Sequence, residues 1–223
     1  MALFIDTANI EEIREAVSLG VISGATTNPK ILSMEEPGYV FKDRIKEIIK
    51  LVNGPVSVEL TEEELDPMVR QAKEFAGWDR EYIVIKIPMG STGLKAVRIL
   101  EGELKIKTNV TAVMAFNQAY LACLAQAAYV SIFAGRIKDM GFDPAEVISQ
   151  TRELIERENL KTRIIVGSIR HFMDVNDALC AGAHIVTVPP LILKAMPYNP
   201  ATEKTIKEFN DIWKKMKEEK KIR

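Results

Sequence analysis

Eight short apolar runs, each followed by a stretch with helical spacing, constrain this chain more than any other feature. In order they are Ala2–Asp6, Val21–Ala25, Pro55–Leu60, Tyr82–Pro88, Leu104–Thr111, Ala128–Phe133, Thr162–Val166 and His184–Val188. No linker or composition break separates them. The alternation predicts an α/β fold in which parallel strands and helical crossovers close into one (β/α)8 TIM barrel. With 223 residues the chain sits at the small end for that fold and leaves little room for another domain. An open doubly wound sheet competes, but it predicts a glycine-rich first turn, and Asp6-Thr7-Ala8-Asn9 supplies none.

Local signals refine the pattern. Asn9 with Glu12 reads as a helix N-cap pair, and Gly20 stops that helix. Pro29 holds Asn28 in an extended backbone. Helices are expected over about 41–52, 65–75, 94–100, 115–126 and 173–181, with Gly90–Gly93 as a loop. Another begins at Pro144 behind Asp143. The last helix, about 202–217, carries Ile206, Phe209, Trp213 and Met216 on one stripe, which packs on its own barrel or on a neighbouring subunit.

The run Tyr82–Pro88 reads as a strand buried on both faces, with one lysine inside it. Burying an ammonium is costly, and partial loss of its charge would turn that cost into a reactive amine. At an ordinary pKa only roughly one lysine in two thousand is neutral at pH 7. The plainer reading is an edge strand whose Lys86 reaches out to water.

Position narrows the choice, because this fold keeps its reactive face at the strand C-termini. Asp6, Asn28, Glu59, Lys86, Asn109, Thr111, Ser131, Arg136, Ser168 and Arg170 all fall at or just past expected strand ends. Singly, each has a structural reading: Asp6 as a helix cap, either arginine as a surface ion pair. Together they would bring an amine, two carboxylates, hydroxyls, amides and two arginines to one mouth. An amine in an apolar barrel suits Schiff-base chemistry on a carbonyl substrate. Arg136 and Arg170 with Ser168 suit a phosphate dianion.

Composition sets the outer limits. The chain is 47% hydrophobic and 27% charged, with a formal net charge of -1, which argues against nucleic acid or an anionic membrane surface as partner. No run is long and apolar enough to span a bilayer, and no signal-peptide pattern opens the chain. Cys123 and Cys180 lie in alanine-rich apolar stretches and read as buried free thiols, suited to a reducing cytoplasm. His171 and His184 are the only histidines, and no metal-ligand cluster is evident. His171 reads as a loop hydrogen-bonder.

Six ordered motifs carry a resemblance: Phe4–Asn9, Thr26–Pro29, Val84–Pro88, Lys107–Thr111, Gly135-Arg136 and Ser168–Arg170. They resemble the transaldolase family over nearly the whole chain, most closely its small subfamily, which includes fructose-6-phosphate aldolase. The resemblance implies a class I aldolase-like barrel without metal or organic cofactor. It implies that Lys86 forms a Schiff base with a ketose phosphate and that Asp6 is the general acid/base. Glu59 and Thr111 would hold a proton-shuttling water. Asn28, Asn109 and Ser131 would bind substrate hydroxyls, and Arg136, Ser168 and Arg170 the phosphate. Phe133 and Glu59 match the transaldolase choices over tyrosine and glutamine.

The implied reaction is that of the pentose phosphate pathway. A dihydroxyacetone unit moves from sedoheptulose 7-phosphate or fructose 6-phosphate to glyceraldehyde 3-phosphate or erythrose 4-phosphate. The alternatives are a fructose-6-phosphate aldolase that cleaves without transfer, and a silent sugar-phosphate-binding barrel with a structural Lys86. The resemblance also implies a pentamer or decamer, its last helix crossing to an adjacent subunit. Ile132, Met89–Gly93 and Ala112–Met114 depart from the family pattern around the site, but none is a residue named for the chemistry.

Overall fold

Eight parallel strands close on themselves in chain order in the computed structural model, which describes residues 1–219 and 221. They are β1 Ala2–Asp6, β2 Ile22–Thr26, β3 Val56–Glu59, β4 Ile83–Pro88, β5 Thr108–Val113, β6 Tyr129–Phe133, β7 Arg163–Gly167 and β8 Ile185–Val188. The closing pair runs from Ala2 opposite Ile185 to Ile5 opposite Val188. Around them lie α1 Ile10–Ser18, α2 Pro29–Leu32, α3 Phe41–Val52, α4 Leu65–Ala76, α5 Ser91–Val97, α6 Phe116–Leu124, α7 Ala134–Asp139, α8 Pro144–Arg157, α9 Phe172–Cys180, α10 Pro190–Ala195 and α11 Pro200–Glu218. Among the described residues no helix is long and apolar enough to cross a membrane.

The period of two along each strand sorts residues between two environments. Ile83, Ile85 and Ile87 belong to the main core between barrel and helices, where each buried isoleucine contributes about 1.5–3 kcal/mol. Phe4, Ile165 and Ile185 form a separate apolar cluster, a floor beneath the polar mouth. Gly24 leaves that floor room, since a side chain there would meet the Phe4 ring at 2.6 Å.

Caps behave as their residue types dictate. Asn9 accepts from the Glu12 amide, Asn28 from that of Ile31, and Asp143 from that of Ala145. Asn28 is extended, and Pro29 opens the short helix behind it. His171 caps α9 by accepting from the Met173 amide.

Several expectations give way. Residues 104–107 lie outside β5, which starts at Thr108; Lys105 adopts φ +54°, turning the chain before the strand begins. The stretch expected as a loop over 90–93 enters α5 at Ser91, and α5 passes into a π-helix over Arg98–Glu103. From that π-helix Glu101 accepts from the amides of Thr108 and Ala128, tying the starts of β5 and β6 together. Helices α2 and α10 are too short for periodicity to reveal. Cys123 is buried but Cys180 is exposed, because it ends α9 on the helix's outer side. No residue of α11 is buried, and Ile206, Phe209 and Trp213 are each more than half exposed.

Candidate active site

The strand C-termini open into a cavity of about 770 Å³. Lys86 lies across from Glu59 in the β3–β4 register, and parallel partners point to the same side. Its amine is 3.1 Å from Glu59 Oε2 and donates at 3.1 Å to the Thr27 carbonyl. The side chain is only 5% exposed, so the edge-strand reading fails. Phe133 presents its ring with its centroid 6.0 Å from the amine. The site thus holds a lysine between a carboxylate, a carbonyl and an aromatic wall.

Asp6 does not cap a helix. Thr26 donates to its Oδ1 at 2.5 Å, and Thr26 in turn contacts the Thr187 hydroxyl at 2.6 Å. Burial pushes the Asp6 carboxyl above its ordinary range. The Thr26 hydrogen bond and the Lys86 charge pull it down, and Glu59 adds a further upward push. A carboxyl with a raised pKa keeps its proton to higher pH than an ordinary one, the direction general acid/base work requires.

Asn109 and Ser131 form a buried line on the barrel interior. Ser131 donates to Asn109 Oδ1 at 2.8 Å, and Asn109 Nδ2 donates to Ser57 at 3.1 Å. Ser131 reaches the cavity wall, whereas Asn109 lies behind it. Thr111 is buried too, and its hydroxyl has no hydrogen-bond partner among the described residues. Just beyond it the β5–β6 register shifts, and Ala112 enters the cavity wall at φ +58°. A bulge at a barrel rim re-aims the chain in this way, at a cost in backbone strain.

Arg136 on α7 and Ser168 after β7 line the opposite wall. Gly135 permits this, because a side chain there would meet Ser168 Oγ at 2.9 Å and Arg170 Nε at 2.8 Å. Arg170 differs from expectation. Both terminal nitrogens of its guanidinium bind the Asp139 carboxylate, and it does not line the cavity. Proximity to that aspartate is the physical reason: a planar fork engages a carboxylate in pairs.

Asp6, Asn28, Glu59, Lys86, Ser131, Phe133, Arg136 and Ser168 therefore meet at one cavity, Asn109 and Thr111 back it, and Arg170 stands outside. The expectations omitted Thr26, Ser57, Ala112 and Thr187. Inward alternation on β2, β3 and β8 flags the three hydroxyls; a left-handed alanine has no such signal.

The comparisons with known proteins agree with one another. The family model described as Transaldolase/Fructose-6-phosphate aldolase matches residues 3–223. A "Probable transaldolase" of Desulforudis audaxviator is 48% identical over 217 residues, covering 97% of this chain and 99% of its own. Those of Pelotomaculum thermopropionicum and Oceanobacillus iheyensis are 46% and 45% identical, covering 98% and 97% of this chain and all of their own. A solved flavocytochrome b2 variant with sulfite bound has a TM-score of 0.59 at 14% identity, covering 87% of this chain and 57% of its own, a likeness of fold alone. The family model and the full-length relatives converge: the chain belongs to the transaldolase/fructose-6-phosphate aldolase family.

Proposed function

We propose that the chain is a transaldolase that moves a dihydroxyacetone unit between sugar phosphates through a Schiff base on Lys86. The observation that carries this reading is the Lys86 amine, 3.1 Å from both Glu59 and the Thr27 carbonyl at the cavity floor. The amine adds to the keto carbon of the donor and water leaves, forming an iminium. Asp6 takes the proton of the C4 hydroxyl, and the C3–C4 electron pair moves into the iminium. An aldehyde departs and an enamine stays on the lysine. An acceptor aldehyde reverses these steps, and water releases the product ketose.

The other roles follow from placement. The buried, unpartnered Thr111 hydroxyl and the Glu59 carboxylate suit a water that carries protons during imine formation and hydrolysis. Asn28, Ser131 and, behind it, Asn109 offer hydrogen bonds to substrate hydroxyls. Arg136 and Ser168 suit the phosphate, with Arg170 joining on release from Asp139. Phe133 brings no hydroxyl beside the amine, which favours transfer to an aldehyde over protonation and release. The donors and acceptors proposed are sedoheptulose 7-phosphate, fructose 6-phosphate, glyceraldehyde 3-phosphate and erythrose 4-phosphate, as in a cytoplasmic pentose phosphate pathway. The exposed stripe on α11 supports a homo-oligomer in which that helix covers a neighbour.

The test is intact mass after fructose 6-phosphate and borohydride. A dihydroxyacetone-sized adduct on the wild type and none on Lys86→Ala is expected. No adduct on either protein would overturn the mechanism in favour of a silent binder. A coupled assay with erythrose 4-phosphate then separates transfer from cleavage, and Phe133→Tyr should shift the balance toward cleavage.

A further inference from the structure

Three side chains at the mouth form a line that crosses two strand boundaries: Asp6 on β1, Thr26 on β2 and Thr187 on β8. Thr26 Oγ1 lies 2.5 Å from Asp6 Oδ1 and 2.6 Å from Thr187 Oγ1. A hydroxyl has one proton. With Asp6 ionised, Thr26 must spend that proton on the carboxylate, so the second contact requires Thr187 to donate to Thr26. The direction of the whole line is thereby set.

Thr187 is also held in place. Its γ-methyl rests against Gly167, where an added side chain would come within 3.3 Å of it. The methyl turned toward β7 leaves the hydroxyl turned toward β2. Thr187 lines the cavity but is only 4% exposed, so its contact with Thr26 is largely shielded from bulk water.

We propose that Thr187 is a positioning residue: it polarises Thr26, which holds Asp6 as an acceptor through Oδ1 and leaves the other carboxylate oxygen for substrate. No proton travels along the line; its work is orientation and charge stabilisation, since hydrogen bonds in a chain strengthen one another. The proposal rests on the reading of Asp6 as general acid/base. The charged groups facing Asp6 are Lys86 from β4 and Glu59 from β3. Glu12, Lys30, Glu35 and Arg136 also line the cavity, and Glu12 is engaged by Thr7 at 2.7 Å. None of these touches Thr187 by hydrogen bond or ion pair, so a change at residue 187 reaches Asp6 through Thr26.

The experiment is a carbon-13 carboxyl titration of Asp6, assigned with Asp6→Asn, in wild type, Thr187→Val and Thr187→Ser. Valine keeps the shape and removes the donor. The Asp6 midpoint should rise by about half a pH unit in Thr187→Val and return in Thr187→Ser, because the ionised form loses part of its hydrogen-bond support. The acidic limb of kcat/KM against pH should move the same way. If Thr187→Val does not fold, Thr187→Ala gives the same reading. A midpoint unchanged on loss of the hydroxyl overturns the proposal. Borohydride trapping on the same samples separates the two failures. A wild type without adduct overturns the Schiff-base reading, while the Asp6 midpoint still decides the role of Thr187.

Discussion

Glu59 and Lys86 stand opposite each other on adjacent parallel strands, their charged ends 3.1 Å apart at the cavity floor. Such a pair serves chemistry better than stability, because desolvating both charges offsets most of their attraction. Removing the charge of Glu59 therefore tests its part in the chemistry.

Glu59→Gln keeps the shape and removes the charge. Imine formation should slow by roughly a hundredfold, the scale of one general-base contribution, and the melting temperature should fall because the buried Lys86 ammonium loses its counter-charge. Thr111→Val sharpens the point. Its hydroxyl has no partner among the described residues, so a methyl there should leave stability equal or higher while slowing imine formation. Time-resolved borohydride trapping and thermal melts check both.

Asp6 links pH to stability. Burial lifts its folded-state pKa above the ordinary value of 3.8. Between those two pKa values the folded chain holds more protons than the unfolded one, so stability falls as pH rises through that window. Above it the ionised carboxylate carries its full burial cost. Asp6→Asn removes that cost and still accepts from Thr26. It should raise the melting temperature at neutral pH more than at pH 4, while turnover drops by about 10²–10⁴-fold. An equal shift at both pH values would contradict the assignment.

Arg170 is committed to Asp139, and a phosphate must compete for the same fork. The Asp139 carboxyl is held below its usual range by Arg170, the mark of an engaged pair. Asp139→Asn should lower KM for a phosphorylated ketose several-fold, and Arg170→Ala should raise it by about 10–100-fold, with smaller effects on kcat. Steady-state kinetics with a phosphorylated and an unphosphorylated donor measures this, since only the phosphorylated donor should respond.

Gly135 donates its amide to the Ser168 carbonyl, and a side chain there would collide with Ser168 and Arg170. Gly135→Ala must push the phosphate-side loop away. Overpacking of this kind costs about 1–3 kcal/mol, and KM should rise with it. A calorimetric melt and a KM measurement on one preparation would show both. A normal KM would mean that the loop does not contact the phosphate.

The polar residues of the site were largely legible because two periodicities were intact. Alternation of two along the strands and the strand–helix repeat sufficed to place Lys86, Glu59 and Asp6 on the reactive face of a barrel. Phe41–Val52 agrees with the helix expected over about 41–52, and Asn53 ends it in the left-handed conformation at φ +45°. The start of β5 was not legible, because residues 104–107 look like a strand but follow a π-helix and a left-handed Lys105. Exposure of Cys180 was also hidden, since an alanine-rich stretch on a half-buried helix has an outer side.

What the amino-acid sequence determined by itself is therefore the barrel and the chemical inventory of its mouth, for these depend on residue type and local period. Only the tertiary structure decided which groups engage which. Thr187 meeting Thr26 depends on barrel closure bringing β8 beside β1, and Arg170 choosing Asp139 depends on how α7 docks after β6. Contacts of that kind depend on register, rotamer and distance between residues far apart in the chain, and no local spacing encodes them.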